Sequence, residues 1–301
     1  MMVQKIIPSL WFNGNAKEAV DFYVAAFPDS KIISTAYYPK STEEGLADFQ
    51  QDLAGDVLTI EFELGNYRFT AINAGSEFEP NPSISFMLNF DPSQDDRARE
   101  HLDELWDTLI SGGEALMPLD SYPHSEHYGW VKDKYGITWQ LMLTNPDGEP
   151  RPFIIPSLMF TNENNGRAEE AIDHYKSVFN DTRIGTMVKY SEDNETIKAG
   201  SVMFADFQIE GQWFAAMDSG SVHDFTFNEA ISLQIFCKDQ AEIDYYYEAL
   251  STVPEAEVCG WCKDKYGVSW QVVPENTEEL LKKPGAFANM MKMKKLVIAD
   301  F

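Results

Sequence analysis

Residues 129–140 read Gly-Trp-Val-Lys-Asp-Lys-Tyr-Gly-Ile-Thr-Trp-Gln, and residues 260–271 repeat this stretch as Gly-Trp-Cys-Lys-Asp-Lys-Tyr-Gly-Val-Ser-Trp-Gln. The openings of the two halves match as well, because residues 6–12 read Ile-Ile-Pro-Ser-Leu-Trp-Phe and residues 154–160 read Ile-Ile-Pro-Ser-Leu-Met-Phe. A repeat of about 150 residues is long enough to close its own hydrophobic core, unlike the short units of solenoids. The sequence therefore predicts a tandem duplication of two similar domains.

The repeat divides the 301-residue chain into three parts. We predict a first domain at residues 1–145, a linker at residues 146–152, and a second domain at residues 153–301 that ends in a helical tail. The linker reads Pro-Asp-Gly-Glu-Pro-Arg-Pro, a composition typical of turns. Because the linker is short, we expect the two halves to lie close together.

The composition predicts a soluble globular protein, with 44% apolar and 13% aromatic residues and no uncharged stretch long enough to span a membrane. The chain has 49 acidic and 23 basic residues, and its net charge of −26 repels nucleic-acid phosphates and anionic lipids. We therefore expect neither nucleic acid nor a membrane as a partner. Three cysteines and an opening without an apolar leader predict a cytoplasmic location.

Both halves show the same order of predicted elements. The first half opens with a strand, an amphipathic helix and three strands, predicted at residues 6–12, 16–27, 31–38, 56–63 and 67–73. A strand, a helix and two strands follow, predicted at residues 84–89, 95–110, 128–132 and 138–143. Each half is therefore predicted to hold two β-α-β-β-β units, which makes four in the chain.

Several motifs of the repeat resemble one protein superfamily. They are Pro-Ser-Leu-x-Phe at residues 8–12 and 156–160, Glu-Ala-x-x-x-Tyr in the first helix of each half, and the stretches that end in Trp-Gln at residues 140 and 271. Together with the repeated units, they resemble the vicinal oxygen chelate superfamily of glyoxalases, bleomycin-resistance proteins and extradiol dioxygenases. Within it, the chain looks like the PhnB-like family that bears the name 3-demethylubiquinone-9 3-methyltransferase. The resemblance covers nearly the whole chain, twice.

The resemblance implies an α+β fold in which repeated βαβββ units form curved mixed sheets, in two tandem domains. Each half is expected to pair its two units into one curved sheet, with the helices on the convex side. Single-domain members of the family commonly form dimers, so the two halves are expected to pack as a pseudo-dimer within the chain. The whole chain is then a monomer or a homodimer.

In the superfamily, His and Glu from the first and last strands hold a divalent metal that polarises a substrate with vicinal oxygens. The resemblance places the last-strand ligand at Gln140 and Gln271, and glutamine supplies only a neutral oxygen. The first strands offer no histidine at the corresponding positions, which are Pro8, Ser9, Pro156 and Ser157. We therefore expect no catalytic metal and no cofactor, with a divalent metal as the alternative.

The methyltransferase name finds no matching motif in the sequence. A nucleotide-like methyl donor is usually held by a glycine-rich turn between a strand and a helix. Neither Gly-x-Gly-x-Gly nor Gly-x-Gly-x-x-Gly occurs among the 18 glycines. The name is therefore weak evidence for that activity.

Two further motifs have the spacing of metal or redox sites. His124 and His127 flank an acidic residue and could ligate a metal or transfer a proton, and a solvated loop is the alternative. Cys259 and Cys262 have redox or zinc spacing, but the repeat alignment places them within a strand, whereas a thioredoxin-type pair opens a helix. We therefore do not predict redox chemistry.

The sheets are expected to form cups with aromatic walls and a few polar side chains, as small-molecule pockets have. The predicted polar cup residues are Gln140, Gln271, Asn73, Asp218, Ser85, Ser232, His124 and His127. Because side chains alternate along a strand, Trp139 and Trp270 are expected on the opposite face, in the core.

The two halves differ most at residues 111–127, where the first half carries about 16 extra residues. We expect this segment to form a flap that excludes water from the first cup, so ligand binding is predicted in the half spanning residues 6–143. The alternative is that the extra residues cover an exposed edge strand or lie between the halves.

Two functions remain open from the sequence. One is a small-molecule-binding protein of the glyoxalase and bleomycin-resistance type, with an apolar cup and no catalytic metal. The other is an enzyme of the superfamily, either a lyase, a dioxygenase or the methyltransferase of the family name. The absence of His and Glu at the expected ligand positions favours the first.

Overall fold

The computed structural model describes residues 4–301, except the side chain of Phe49. Residues 1–3, which contribute to the expectation that the chain has no leader, lie outside the described residues. Within the described part, none of the helices is both long and apolar enough to cross a membrane.

Along residues 4–301, fifteen strands and six α-helices follow one another in nearly the predicted order. The strands of the first half are β1 (Ile6–Phe12), β2 (Lys31–Tyr37), β3 (Val57–Leu64), β4 (Tyr67–Asn73), β5 (Ile84–Phe90), β6 (Glu114–Tyr122), β7 (Ser125–Lys132) and β8 (Thr138–Leu143). Those of the second half are β9 (Ile154–Phe160), β10 (Arg183–Lys189), β11 (Val202–Ile209), β12 (Gln212–Asp218), β13 (Ile231–Cys237), β14 (Trp261–Lys263) and β15 (Ser269–Pro274). The helices are α1 (Ala16–Ala26), α2 (Ala98–Ile110), α3 (Ala168–Val178), α4 (Gln240–Leu250), α5 (Thr277–Leu280) and α6 (Ala286–Met290).

The strands form two mixed sheets, which confirms the predicted α+β class. The seven-stranded sheet has the order β14-β15-β13-β1-β4-β3-β2, and the eight-stranded sheet has the order β10-β11-β12-β9-β5-β8-β7-β6. Each sheet thus joins one unit of the first half to one unit of the second. The expectation that each half pairs its own two units into one sheet is wrong, while the two sheets of the single chain do form a pseudo-dimer. The ranges 1–145 and 153–301 stay a prediction of the sequence repeat.

The short linker explains this exchange of units. β8 lies parallel to β5, so the linker that leaves β8 starts beside the end of β5. The Asn89 side chain holds the linker there by donating to the carbonyl of Pro152, at 2.8 Å. The chain then enters β9, which pairs antiparallel with β5. An edge that would expose unpaired backbone groups is thereby covered by the first strand of the second half.

The two sheets pack together through the faces that carry the helices. Along β1, Ile6, Leu10 and Phe12 belong to one large core cluster that draws residues from both sheets. Phe69 of one sheet meets Phe86 of the other, with ring centroids 5.0 Å apart. Because the cores meet in the middle, the opposite faces of the two sheets point away from each other.

The repeated Lys-Asp-Lys-Tyr-Gly motif ties the two sheets together through a buried carboxylate. Asp264 accepts hydrogen bonds from the Tyr175 hydroxyl (2.8 Å), the Trp270 indole (2.9 Å) and two backbone N–H groups. Tyr175 lies on α3 of the eight-stranded sheet, whereas Asp264 belongs to the β14–β15 turn of the other sheet. The first copy forms the same contacts at Asp133, so the motif that revealed the repeat is structural.

The same motif predicts the burial of the tryptophans, and the structure confirms it. Trp139 and Trp270 are fully buried in the core. Gly129, which opens the first copy of the motif, packs against Trp106 of α2, and a Cβ atom there would lie 2.4 Å from the indole ring. A glycine is therefore required for α2 to approach β7.

The extra residues of the first half form an edge strand. β6 pairs antiparallel with β7 and extends the eight-stranded sheet, whereas the fourth unit has only three strands. The expected flap is therefore corrected to the stated alternative, although the tip of this hairpin does reach the open face of the sheet. Each sheet takes strands from both halves, so neither open sheet face is built from residues 6–143 alone.

Glu170 of α3 gives a second connection between the sheets, and this one depends on pH. Its carboxylate accepts from the Lys265 ammonium and the Tyr266 hydroxyl, each at 3.0 Å, and it pairs with Arg167. Hydrogen bonds from Arg167 and then Lys265 lower the pKa of Glu170 from 4.5 to about 2. A lowered pKa stabilises the folded state fully above the unfolded pKa, and this contribution is lost as the pH falls from 4.5 towards 2.

We expect Glu170→Gln to lower the free energy of unfolding by less than about 1 kcal/mol near neutral pH, because the site is exposed. The difference from the unmutated protein should shrink near about pH 3, where the wild-type carboxylate is being protonated. Urea unfolding at both pH values measures it, with the exposed Glu163→Gln as the control. A difference that does not change with pH contradicts this account.

Candidate functional site

The face of each sheet that points away from the helices is the candidate ligand surface. We call this face of the seven-stranded sheet cup A and that of the eight-stranded sheet cup B. Alternation along β1 places Ser9 in cup A, and alternation along β9 places Ser157 in cup B. The equivalent serines therefore face opposite sides of the molecule.

Cup B has a chain of polar side chains at its centre. The Tyr128 hydroxyl donates to Gln140 Oε1 at 2.8 Å, and Gln140 Nε2 donates to Ser85 Oγ at 2.6 Å. Ser157 lies directly opposite Ser85 on the neighbouring strand. Its hydroxyl is buried and has no hydrogen-bond partner among residues 4–301 outside the Phe49 side chain. The ring of His124, at the tip of the β6–β7 hairpin, packs 4.6 Å from that of Tyr128.

Cup A repeats this arrangement with a second glutamine in place of the tyrosine. Gln271 Nε2 donates to Ser232 Oγ at 2.8 Å, and Gln234 Nε2 donates to Gln271 Oε1 at 3.0 Å. Ser9 lies opposite Ser232 and is 1% exposed. In the described part of the chain, the Ser9 hydroxyl also finds no hydrogen-bond partner. Both cups therefore hold a Ser–Ser–Gln set in which one buried hydroxyl is unpaired.

The walls of cup B are apolar. Four buried residues form a separate cluster on this face, namely Met87, Ile155, Trp213 and Ala215. The guanidinium of Arg151, from the linker, lies 3.9 Å above the Trp213 ring and donates to the Asp206 carboxylate at 2.7 Å. The linker therefore supplies a side chain to the cup.

The walls of cup A are aromatic and more polar. Trp11 meets Phe78 at 5.1 Å and Trp261 at 6.0 Å between ring centroids. Arg68 takes the position that Trp213 has in cup B, and it donates to Glu61 at 2.6 Å. The repeat aligns Glu61 with Asp206, so the same acidic position is paired with an arginine from a different source in each cup.

A lid of two segments closes one side of cup A. One segment is the loop that follows β2, at one edge of the sheet, and the other is the C-terminal tail that follows β15, next to the opposite edge. The two segments meet where Tyr38 packs against Phe287, with ring centroids 6.4 Å apart. Val273, on the cup face of β15, packs against the tail cluster that contains Leu296 and Phe301. The tail therefore contributes to the wall of this cup.

Three predicted site residues lie on the helix-facing sides of the sheets, so including them among the cup residues is corrected. Asn73 Oδ1 accepts from the Ala16 N–H (3.0 Å), and Asp218 Oδ1 accepts from the Ala168 N–H (3.0 Å), so these equivalent residues cap α1 and α3. Burial raises the pKa of Asp218, whereas backbone hydrogen bonds lower it. His127 points to α2, where its Nε2 contacts Asp103 at 2.5 Å.

The cysteine pair lies in a turn and a strand. Cys259 adopts a left-handed conformation with φ of 49° in the turn before β14, which corrects the expected strand position. Burial raises the pKa of its thiol to about 11, and burial also raises the pKa of Cys262. Thiols of raised pKa are poor nucleophiles at neutral pH. The pair does not have the environment of a redox site.

The donor set of the cups does not fit the divalent metal that the superfamily implies. Glutamine and serine contribute only neutral oxygens, and both Gln140 Nε2 and Gln271 Nε2 point their N–H groups at a serine. Zinc sites use His, Cys or carboxylate ligands. Across the described residues, no three His, Cys, Asp or Glu side chains come together as a metal site.

Several residues of the cups, Ser9, Ser157 and Arg151 among them, were not among the predicted site residues. Ser9 and Ser157 belong to the repeated Ile-Ile-Pro-Ser-Leu stretch. Because side chains alternate along a strand, the sequence could have placed both serines on the cup face, opposite the core residues of β1 and β9. Arg151 lies in the linker, where no periodic pattern indicates which way a side chain points. Its partner Asp206 is 55 positions away in the sequence.

Comparisons with known proteins place both copies of the repeat in one sequence family. Residues 4–142 and 152–273 match the sequence model of the family described as 3-demethylubiquinone-9 3-methyltransferase. The PhnB protein from Bacillus cereus is 33% identical over 47% of this chain and 100% of its own length, with a TM-score of 0.39. No curated protein matches significantly.

A structure of glyoxalase I from Zea mays shows the likeness of fold across both copies. It is 11% identical and covers 89% of this chain and 91% of its own length, with a TM-score of 0.50. The family match extends over both copies and more than half of the sequence, which confirms the predicted resemblance. The chain therefore belongs, as a tandem duplicate, to the 3-demethylubiquinone-9 3-methyltransferase family of glyoxalase-like fold.

Proposed function

We propose that the protein binds small, uncharged molecules in its cups, with the unpaired serine hydroxyl as the polar anchor. The observation that carries the proposal is the burial of Ser9 and Ser157 without a partner among residues 4–301, at equivalent positions of both cups. A buried polar group without a hydrogen bond costs about 1–3 kcal/mol. A ligand that hydrogen-bonds to the hydroxyl would recover this energy.

The chemistry of the remaining cup residues supports an uncharged ligand with an apolar body. Met87, Ile155 and Trp213 form the wall of cup B. The indole N–H of Trp130, which faces the same cup, has no hydrogen-bond partner among residues 4–301 outside the Phe49 side chain. A free hydroxyl and a free N–H both suit a ligand that carries a carbonyl or ether oxygen.

Binding is favoured over catalysis because the Ser–Ser–Gln set and Tyr128, at the centre of cup B, do not titrate near neutral pH. His124 packs against the Tyr128 ring at the hairpin tip, and burial lowers the pKa of its imidazole. General acid–base catalysis requires a group whose pKa lies close to the operating pH. Serine and glutamine lack such a group, and burial raises the pKa of Tyr128 above its ordinary value. Tyr128 therefore stays protonated and donates to Gln140.

We expect Ser157→Ala to weaken ligand binding in cup B roughly threefold to tenfold, the effect of one hydrogen bond. The free energy of unfolding should stay the same or rise, because an unpaired buried hydroxyl is removed. A thermal-shift screen of uncharged aromatic and alicyclic ketones and ethers provides the ligand, and calorimetric titration measures its affinity. Ser9→Ala is the matched variant for cup A, and the exposed Ser93→Ala is the control. Unchanged affinity in both Ser9→Ala and Ser157→Ala contradicts the proposal.

A further inference from the structure

A groove of about 920 Å³ lies between α1 and α2, at the end of β5. Its floor is apolar, and we define the α1–α2 groove by the floor residues Phe22, Ala26, Phe27, Phe90, Leu105 and Phe153. Its rim carries His101, Glu104 and Arg151. A concave apolar surface of this size with a few polar groups is typical of a small-molecule site.

The second copy of the repeat shows what fits such a groove. There α3 and α4 meet as α1 and α2 do, and Tyr246 of α4 stacks on Phe179, with ring centroids 5.3 Å apart and planes at 26°. The hydroxyl of Tyr245 donates to the carbonyl of Val178 at 2.7 Å. Two tyrosine side chains therefore fill this place in the second copy.

The first copy has no aromatic residue at the positions of Tyr245 and Tyr246. The buried residues of α2, which are Leu102, Leu105, Trp106 and Leu109, align with Ile243, Tyr246, Tyr247 and Leu250 of α4. Leu105 thus replaces Tyr246, and Glu104 replaces Tyr245. Phe27 corresponds to Phe179, because α1 and α3 have the same length and both end before a phenylalanine.

The floor also differs in charge between the two copies. In the second copy, the Tyr246 hydroxyl donates to the Glu210 carboxylate at 3.0 Å. Gly65 takes the place of Glu210 in the first copy, and the ring of Phe153 packs over it, 2.4 Å from where a Cβ atom would lie. An aromatic surface therefore replaces a carboxylate in the floor of the α1–α2 groove.

We propose that the α1–α2 groove is a second kind of ligand site, distinct from the cups, which binds an uncharged single-ring phenol. The phenol ring stacks against Phe27 as the Tyr246 ring stacks against Phe179. Its hydroxyl reaches the end of α1 at Ala26, the position of the Val178 carbonyl in the second copy. On the rim, the carboxylates of Glu104 and Asp95 disfavour aromatic anions, because the guanidinium of Arg151 is already paired with Asp206.

The probe for this site is 4-methylphenol, which is the tyrosine side chain as a free molecule. We expect saturable binding, with intermolecular nuclear Overhauser effects between the probe ring and the Leu105 methyl groups. Leu105→Tyr fills the groove with the side chain of the second copy and should weaken binding by about tenfold or more. Ser157→Ala, in cup B, should leave the affinity of this site unchanged.

The reciprocal variant tests whether the tyrosine ring of the second copy shows what the groove of the first copy binds. Tyr246→Leu removes the ring from the α3–α4 contact and should create a second binding site for 4-methylphenol. The proposal is overturned if the probe shows no contact with Leu105 at saturation, or if Leu105→Tyr binds it as tightly as the unmutated protein does. The contact between the probe and Leu105 is measured on the unmutated protein, so it tests the proposed site even if a variant does not fold.

Discussion

Asp264→Asn is expected to lower the free energy of unfolding by about 3–5 kcal/mol, because four donors converge on this buried carboxylate. An asparagine keeps one acceptor oxygen but has an NH2 group in place of the other. That NH2 group points its own N–H bonds at donors that need an acceptor. Burial raises the pKa of Asp264, and hydrogen bonds from Trp270 and Tyr175 act in the opposite direction. In either protonation state the aspartate accepts more hydrogen bonds than an asparagine can.

Guanidinium unfolding of Asp264→Asn, Asp133→Asn and the exposed Glu255→Gln measures this effect. The two buried variants should lose similar amounts, because Asp133 accepts from Tyr23 and Trp139 at 2.8 Å as Asp264 does from its partners. Tyr175→Phe removes a single donor and should cost about 1 kcal/mol. A loss below about 1 kcal/mol in Asp264→Asn contradicts the structural role of the motif.

Cutting the linker is expected to leave the two halves bound to each other. β1 pairs with β13 and β5 pairs with β9, so both sheets contain hydrogen-bonded strand pairs that join the halves. The core cluster also draws its residues from both sheets. Neither half can retain its sheets without the other, and separation requires global unfolding.

A protease recognition sequence between Asp147 and Gly148 makes the cut without removing Arg151. After cleavage, the fragments should elute together from a size-exclusion column as one species of the size of the uncut protein. They should separate only in denaturant. Two folded fragments that elute apart under native conditions would show that each half forms its own sheet, as the repeat alone suggests.

The repeat and the strand patterns predict the units of the fold but not how they pair. The bounds of β1 and α1 agree with the predicted elements to within a residue, and alternation correctly places Trp139 and Trp270 in the core. The four units are similar, so each edge strand offers comparable partners in either half. The choice is made by the short linker, which sets β9 beside β5. That constraint is geometric and has no local pattern in the sequence.

Part of the candidate site follows from alternation and part does not. Asn73 shares a face with Phe69 and Ala71, and His127 shares a face with Val131, so alternation already indicates the core side for both. Gln140 and Gln271 lie in the cups with Ser85 and Ser232, as alternation predicts, while their role in binding stays a prediction.

The sequence of one copy alone does not predict the α1–α2 groove. Leu105 fits a helical core pattern as well as Tyr246 does, so periodicity does not distinguish a filled contact from a groove. The difference appears only when the packing of the two copies is compared. The ring stacked on Phe179 at 5.3 Å then identifies what the first copy lacks.

The most direct test of the central claim is a crystal structure of the protein with a ligand obtained from the screen of uncharged ketones and ethers. We expect an oxygen of the ligand within hydrogen-bond distance of the Ser157 or Ser9 hydroxyl, with the apolar part of the ligand against the cup wall. A ligand bound away from both cups, with each serine hydroxyl bonded only to ordered water, would contradict it.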